Sequence, residues 1–490
     1  MITKEDITAS RDAEWRQELR NAVPAKERTA IPRVEMPHLD PAYRVTCREE
    51  VNCGLSPEQA VLEATRCMDC PDPQCMSGCP VQINIPGFIK NIQRGRLDVA
   101  AAVLRNTSSL PAVCGRVCPQ EKQCESRCIY HRMRKAPVAI GYLERYAADN
   151  APETAVHPTE SNGMKIAVAG SGPAGLSFAG AMAQRGYEVT VYEALHEIGG
   201  VLKYGIPEFR LPNTVVDKEI HALEQLGVKF VRDCIIGKTI GYDNLCAMGY
   251  KGIFVASGAG LPRFMGIPGE NLVNVMSSNE YLTRVNLMGA GQPGHDTPVA
   301  HGKCAAIIGG GNTAMDSCRT ARRMGAEKVY VVYRRGEAEM PARIEEVAHA
   351  KEEGVEFLTL HNPIEYVGDE RGRVCAMRVQ RMQLGEPDES GRRSPVPVEG
   401  AVEEIAVDMV IVSVGVSPNP IIPSAITGLE VSRRGTITVN DATMQSSIGN
   451  LYAGGDIVRG GATVILAMGD GRKAAASMAE ASVSYTHLTL

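Results

Sequence analysis

From Lys165 the chain alternates apolar runs, glycine turns and helical stretches. Lys165-Ile166-Ala167-Val168-Ala169 has the apolar continuity of a buried strand, the turn Gly170 to Gly175 follows, and the run through Ala183 predicts a helix leading to a second strand, Glu188-Val189-Thr190-Val191-Tyr192. The same order returns from Cys304 through Ile308, the glycines 309–311 and the strand Lys328 to Tyr333. Two such βαβ units imply two dinucleotide sites or a duplicated fold. Upstream the pattern is different. Residues 1–60 are polar with scattered prolines until Ser56-Pro57-Glu58-Gln59, which reads as a helix start with Ser56 as N-cap, Pro57 at the first position and Gln59 at the third. That helix is expected to run into Cys67, and residues 86–92 and 97–104 read as short amphipathic helices. A polar linker from Asn150 to Gly163 separates this helical part from the α/β part, and a last helical run spans Gly471 to Ala481.

Composition narrows the class. At 490 residues the chain is too long for one core, and a prior of about 100–200 residues per domain predicts three or four domains. A net charge of -5 gives no reason to expect nucleic acid or an anionic membrane as partner. The N-terminus is polar, with no signal-peptide stretch, and no segment has the roughly 18 uninterrupted apolar residues of a membrane span. A cytoplasmic location is expected, and there the 15 cysteines read as metal ligands or buried thiols before disulfides.

Eight of the cysteines form two tetrads, Cys67-x2-Cys70-x4-Cys75-x3-Cys79-Pro80 and Cys114-x3-Cys118-Pro119-x4-Cys124-x3-Cys128. Iron–sulfur clusters need four converging thiolates, and in two-cluster ferredoxins the Cys followed by Pro ligates the other cluster. The preferred split is Cys67, Cys70, Cys75 and Cys128 against Cys79, Cys114, Cys118 and Cys124. Structural zinc and disulfides are the competing readings. The isolated Cys47, Cys53, Cys234, Cys246, Cys304, Cys318 and Cys375 read mostly as small buried apolar residues.

At the first glycine turn, Gly170 allows the tight bend, Gly172 the approach of a pyrophosphate and Gly175 the close packing of helix on strand, while Glu193 is placed to accept from an adenosine ribose. In the second, Gly309, Gly311, Asn312 and Thr313 open the helix, and the following strand ends in Arg334-Arg335 instead of an acid. Two guanidinium forks at that point favour a 2'-phosphate, hence NADPH over NADH, against the bland reading of a solvated basic pair.

Gly199-Gly200-Val201-Leu202, Ala256-Ser257-Gly258-Ala259 and Leu451-Tyr452-Ala453-Gly454-Gly455-Asp456 together resemble the FAD domain of the disulfide-reductase-like flavoproteins. The resemblance implies that Gly200, Gly258, Gly455 and Asp456 contact FAD, with Asp456 at its ribityl-phosphate portion. The helix opening at Ala462-Thr463-Val464 would then aim its N–H groups at the isoalloxazine, with Thr463 at its start.

Arg66-Cys67-Met68-Asp69-Cys70, Cys79-Pro80-Val81-Gln82-Ile83-Asn84-Ile85-Pro86-Gly87, Leu110-Pro111-Ala112-Val113-Cys114-Gly115-Arg116-Val117-Cys118-Pro119, Val138-Ala139-Ile140-Gly141-Tyr142-Leu143-Glu144-Arg145 and Tyr204-Gly205-Ile206-Pro207-Glu208-Phe209-Arg210-Leu211-Pro212 resemble the glutamate synthase small-subunit family. The fold expected is α/β, two Rossmann-like FAD- and NAD(P)-binding domains of disulfide-reductase type preceded by an α-helical domain with two [4Fe–4S] clusters. The expected boundaries are 1–150 for the helical iron–sulfur domain, 163–290 and 416–482 for the two parts of the FAD domain, and 291–415 for the NADPH domain. The resemblance implies FAD, NADPH and two [4Fe–4S] clusters, with electrons passing from NADPH to a partner that makes glutamate from glutamine and 2-oxoglutarate. No side chain is singled out as an acid–base or nucleophilic catalyst, and Ile2 after Met1 excludes the N-terminal-cysteine route to glutamine hydrolysis. The partner is a glutamate synthase large subunit or another electron-accepting subunit, and a hetero-oligomer is expected. Residues 278–288 and 333–342 also resemble the large subunit of NADH-dependent ferredoxin:NADP+ oxidoreductase, an electron-bifurcating relative. A non-enzymatic flavin and iron–sulfur scaffold is the third reading. Residues 483–490 have neither helical periodicity nor turn residues and back-translate to a transposase-type sequencing adaptor, so a non-native tail is expected there.

Overall fold

The structure is a computed structural model that describes residues 2–152, 158–387 and 393–487. The helix expected ahead of Cys67 spans Pro57–Arg66 and starts as its sequence dictates. Ser56 Oγ accepts from the Gln59 N–H at 3.2 Å and Gln59 Oε1 accepts from the Ser56 N–H at 2.9 Å, a reciprocal cap with Pro57 in the first turn. The two short amphipathic helices form as Ile85–Gln93 and Leu97–Arg105. Their buried faces, Phe88, Ile89, Ile92, Val99 and Leu104, meet Val113 and Leu143 from the helices Pro111–Val117 and Ile140–Asn150. These side chains belong to one apolar core. It continues into Leu176, Phe178, Met182 and Met468 of the first dinucleotide fold, so the helical part and that fold share one apolar interior.

The first sheet is wholly parallel, in the order 451–453, 250–255, 165–169, 188–192, 229–231. The second, also parallel, runs 275–277, 409–412, 304–308, 328–333, 356–359. Its edge strand Val275–Ser277 lies upstream of residue 291, at which the sequence pattern starts the nicotinamide unit. Both sheets are covered on two faces, which is why their strands read as continuous apolar runs. The sequence pattern does not predict a three-stranded antiparallel sheet, His361–Gly368, Val374–Pro387 and Arg393–Ala406, whose Tyr366, Val374, Met377 and Val379 pack on Ala306, Ile308, Val332 and Val412 of the second parallel sheet.

The last helix, Val464–His487, lies across Pro173–Ala183. A Cβ on Gly471 would stand 2.4 Å from the Ala174 carbonyl oxygen, so the crossing requires glycine. The helix extends beyond Ala481 to His487, and residues 488–490 of the expected tail lie outside the described residues. Among the described residues no helix is long and apolar enough to cross a membrane.

Candidate functional site

The first glycine turn is built as a cradle. A Cβ on Gly170 would lie 2.5 Å from the Ala256 carbonyl oxygen and one on Gly175 2.0 Å from that of Gly170, whereas one on Gly172 meets nothing within 4 Å. Backbone therefore closes in at the two outer glycines and leaves open space at the central one, the arrangement a pyrophosphate on a helix N-terminus needs. Gly258 also faces open space, and the buried Ser257 hydroxyl beside it has no partner. Glu193, at the end of the strand Glu188–Tyr192, is buried and accepts from the Ser171 N–H at 2.8 Å, the Ser171 hydroxyl at 2.5 Å and the Leu195 N–H at 3.0 Å. It fastens the turn, a role the sequence pattern does not show.

Gly200 and Gly455 pack against this turn in the left-handed region, φ 55° and 78°. Each lies close to it: a Cβ at Gly200 would be 3.0 Å from Gly172 Cα and one at Gly455 2.9 Å from Ala174 Cβ. Asp456 accepts from the Ala462 N–H at 3.0 Å, and burial, helped by nearby Asp470, pushes its carboxyl up to about 6. Thr463 precedes the last helix and its Oγ1 accepts from the Leu466 N–H at 3.4 Å. Two residues here escaped the sequence reading. Asp470, in the last helix, accepts from the Gly455 N–H at 3.0 Å and pairs with Arg459 at 2.5 Å, fixing the loop that carries Asp456. Tyr204 is pushed up to about 12, by burial first and then by the charges of Asp456 and Glu193.

The second turn repeats the plan. A Cβ on Gly309 would be 2.3 Å from the Ser413 carbonyl oxygen, Gly311 faces open space, and the buried Ser413 hydroxyl lacks a partner as Ser257 does. The duplication thus extends to a serine at the end of the neighbouring strand, a signal that Ala256-Ser257-Gly258 and Val412-Ser413-Val414-Gly415 carry in sequence. Asn312 accepts from the Arg343 N–H at 2.9 Å, and Thr313 follows it in the first turn of the helix Asn312–Arg323. The two arginines differ. Arg334 is exposed, while Arg335 is half-buried and donates its Nε to the Arg393 carbonyl at 3.0 Å.

The eight tetrad cysteines gather in two groups by mutual electrostatic reach. Cys67, Cys70, Cys75 and Cys128 act on one another, and Cys79, Cys114, Cys118 and Cys124 form the second set, with Cys118 and Cys114 hydrogen-bonded. Burial pushes the Cys70 and Cys79 thiols up to about 11, and raises Cys75, Cys124 and Cys128. Such thiols hold their protons until a cationic group enters, which is the chemistry of a metal cage. Among the described residues no group of three or more His, Cys, Asp or Glu stands ready for a single metal ion. Glu144 acts electrostatically on Cys79, Cys114, Cys118 and Cys124; burial and then Glu219 push its carboxyl up to about 8, and among the described residues its buried Oε1 has no hydrogen-bond partner. Cys114 Sγ stands 3.5 Å from Met468 Sδ in the last helix, linking this group to the element that opens at Thr463.

Comparison with known proteins follows this division. Residues 44–156 match the family described as dihydropyrimidine dehydrogenase domain II, 4Fe-4S cluster, and residues 164–471 match pyridine nucleotide-disulphide oxidoreductase. The chain is 37% identical over 443 residues to the glutamate synthase [NADPH] small chain of Azospirillum brasilense, covering 87% of this chain and 90% of that one. The chain belongs to the glutamate synthase small-chain family. Members of this wider group serve other assemblies: the NADP(+)-dependent formate dehydrogenase subunit beta of Moorella thermoacetica is 37% identical over 82% of this chain and 59% of that protein. The solved structure of Mycobacterium tuberculosis FprA in complex with NADPH superposes with a TM-score of 0.56 at 19% identity, over 66% of this chain and 86% of that one, a likeness of fold. The small-chain fold is thus an iron–sulfur domain followed by a pyridine-nucleotide oxidoreductase, and the chain is an oxidoreductase of that class.

Proposed function

We propose that this small chain is the electron-input subunit of a glutamate synthase, taking reducing equivalents from NADPH and handing them to a large subunit that forms glutamate from glutamine and 2-oxoglutarate. The observation that carries the reading is the sulfur contact between Cys114 and Met468, which joins the second cysteine group to the helix opening at Thr463. When bound, FAD accepts hydride and passes electrons singly to two [4Fe–4S] clusters. The chain's own residues bind and orient. Gly309, Gly311, Asn312 and Thr313 receive the NADPH pyrophosphate, and Arg334 with Arg335 reads its 2'-phosphate. Gly170, Gly172, Gly175, Gly200, Gly258 and Gly455 admit FAD, Glu193 takes its ribose hydroxyls, and Asp456 and Thr463 hold its ribityl and ring ends. Cys67, Cys70, Cys75 and Cys128 hold one cluster, and Cys79, Cys114, Cys118 and Cys124 hold the other. The proposed setting is a cytoplasmic hetero-oligomer.

The equal identity to a formate dehydrogenase subunit favours a second reading, in which the same input unit serves a different acceptor. Anaerobically prepared chain should contain roughly eight iron atoms, four per cubane, and Cys70→Ser should lose about half. NADPH should bleach its flavin, and adding a glutamate synthase large subunit from the same genome should yield NADPH-dependent glutamate. Bleaching without glutamate formation sinks the glutamate synthase assignment and leaves the second reading, while stoichiometric zinc with no iron sinks both.

A further inference from the structure

Residues 2–28 precede the segment matched as an iron–sulfur domain, which begins at residue 44, yet they converge on the loop Cys67-Met68-Asp69-Cys70. The helices Lys4–Thr8, Glu14–Ala22 and Ala25–Arg28 form an arm whose few buried side chains are cationic, Arg16 and Arg28. Arg11 Nε donates to the Asp69 carbonyl at 2.7 Å, and Arg28 Nη1 donates to the Cys67 carbonyl at 2.9 Å. Lys90, from outside the arm, donates to that same Cys67 carbonyl at 2.6 Å. Arg16 and Arg20 clamp the Asp69 carboxylate, Arg20 at 2.6 Å. Asp69 is fully buried with φ 51°, a left-handed conformation that an L side chain holds only when its surroundings fix it, and here two guanidiniums do so. Trp15 packs its ring under Arg94, 3.8 Å from the centroid, and so ties the arm to the end of the helix Ile85–Gln93.

The charge around the two cysteine groups is therefore unequal. At the first stand Arg11, Arg16, Arg20, Arg28 and Lys90 against Asp69, with Glu125 also acting on Cys128. At the second stand Arg343 near Cys118 and Arg472 near Cys79, with Glu125 paired to Arg33 at 2.8 Å and Glu144 a buried carboxyl that burial pushes up to about 8, so that it holds its proton at neutral pH. Their positions differ as well: every cysteine of the second group is buried, whereas Cys70, Cys75 and Cys128 of the first are partly exposed.

We infer that the N-terminal arm is a cationic strap that sets the reduction potential of the cluster held by Cys67, Cys70, Cys75 and Cys128 above that of the other, and so makes this loop the exit for electrons. The inference rests on the proposed assignment of these cysteines to a cluster. Each electron added makes a cluster more negative. Donors with full positive charge on the ligand loop's carbonyls stabilise that added charge, and no such set of donors is bonded to the ligand loops of the other group among the described residues. Hydride supplies the electrons, and one electron lost by the second site is one gained by the first. Arg11, Arg16 and Arg20 are positioning residues, since they act through the loop and its carboxylate.

The test is an EPR-monitored redox titration of the full chain, with iron content measured alongside. Arg16→Gln/Arg20→Gln keeps donors on Asp69 while removing two charges. One of the two potentials should fall enough to shift the electron distribution between the clusters about tenfold, close to 59 mV for a one-electron couple. The other should stay, as should the potentials of Arg132→Gln, an exposed cation near Cys128 that does not touch the loop. Arg20→Gln alone, at the rim, should give a smaller fall in the same direction. Movement of both potentials together, or of neither with iron retained, overturns the inference, and so does loss of iron from both variants, which would make the arm a mechanical clamp. Wild-type chain without cluster signals would instead remove the proposed cluster assignment itself.

Discussion

A methyl group added at Gly172 would meet no protein atom within 4 Å, whereas one at Gly175 would stand 2.0 Å from the Gly170 carbonyl oxygen. The two substitutions therefore separate binding from folding. Gly172→Ala should keep the fold and iron content while lowering the flavin-to-protein ratio of purified chain, and Gly175→Ala should reduce soluble yield as well. Full flavin occupancy in Gly172→Ala would show that the cradle does not hold a pyrophosphate. Gly311→Ala, equally open, should raise the KM for NADPH and leave the flavin in place. The arginines divide in the same way. Arg335 already donates its Nε to the Arg393 carbonyl, while Arg334 is exposed and has no hydrogen bond or ion pair among the described residues. A charge-assisted hydrogen bond contributes about 1.5–3 kcal/mol, so Arg334→Gln should raise the KM for NADPH by roughly tenfold or more and spare NADH. Arg335→Gln should have the smaller effect. Equal losses for NADPH and NADH would show that this pair does not read the 2'-phosphate.

At the level of elements, what could be read in the sequence had a local cause. Ser56, Pro57 and Gln59 carry their cap within four residues, and the apolar strands of both sheets announce burial on two faces. The arm was illegible because its buried faces are polar: Arg16 is the single buried residue of Glu14–Ala22, and periodicity of apolar residues cannot find it. The antiparallel sheet escaped for a related reason, since Arg393–Ala406 has no buried face and so no alternation. The loop at Gly455 was visible as a motif, but its support was not. Asp470 lies 15 residues downstream and reaches back to the Gly455 N–H and to Arg459. Asp470→Asn removes the ion pair while keeping the volume, so the loop carrying Asp456 should loosen. The expected outcome is faster loss of flavin on dilution, measured by recovery of flavin fluorescence, with secondary structure unchanged. Unaltered release would mean that the backbone alone fixes this loop.

Across the whole molecule, the parts are locked by buried charge that no local pattern reveals. Arg210, from the segment after the first sheet's second strand, pairs with Asp316 at 2.9 Å and reaches Glu346 at 3.3 Å. Arg44, from the N-terminal part, pairs with Glu353 at 2.8 Å, and Arg319 joins Glu346 and Glu353 beneath the ring of Phe209. These partners lie far apart in sequence, so each looks like an ordinary surface charge until the fold is known. Removing one member would leave a buried charge unpaired, which costs about 3–5 kcal/mol. The network also carries opposed proton linkages. Burial, with Arg319 close by, lowers the His349 imidazole to about 4. The unfolded chain therefore binds a proton below its ordinary value near 6.5 while the folded chain refuses it until about 4, and stability present above that window is lost as pH falls through it. Asp316 works in reverse. Burial outweighs Arg210 and raises its carboxyl to about 6, so the folded chain takes a proton before the unfolded one does and stability is gained as pH falls from 6 toward 3.8. Each shift corresponds to about 3 kcal/mol at 1.36 kcal/mol per unit, and the two nearly cancel. Wild-type chain should thus show little pH dependence from this pair between pH 6 and 4.5, whereas its variants should diverge. His349→Gln should grow more resistant to heat relative to wild type as pH falls over that range, and Asp316→Asn less resistant. Thermal unfolding midpoints of the full chain at the two pH values decide it, and curves for both variants that run parallel to wild type would show that neither group titrates in the folded network.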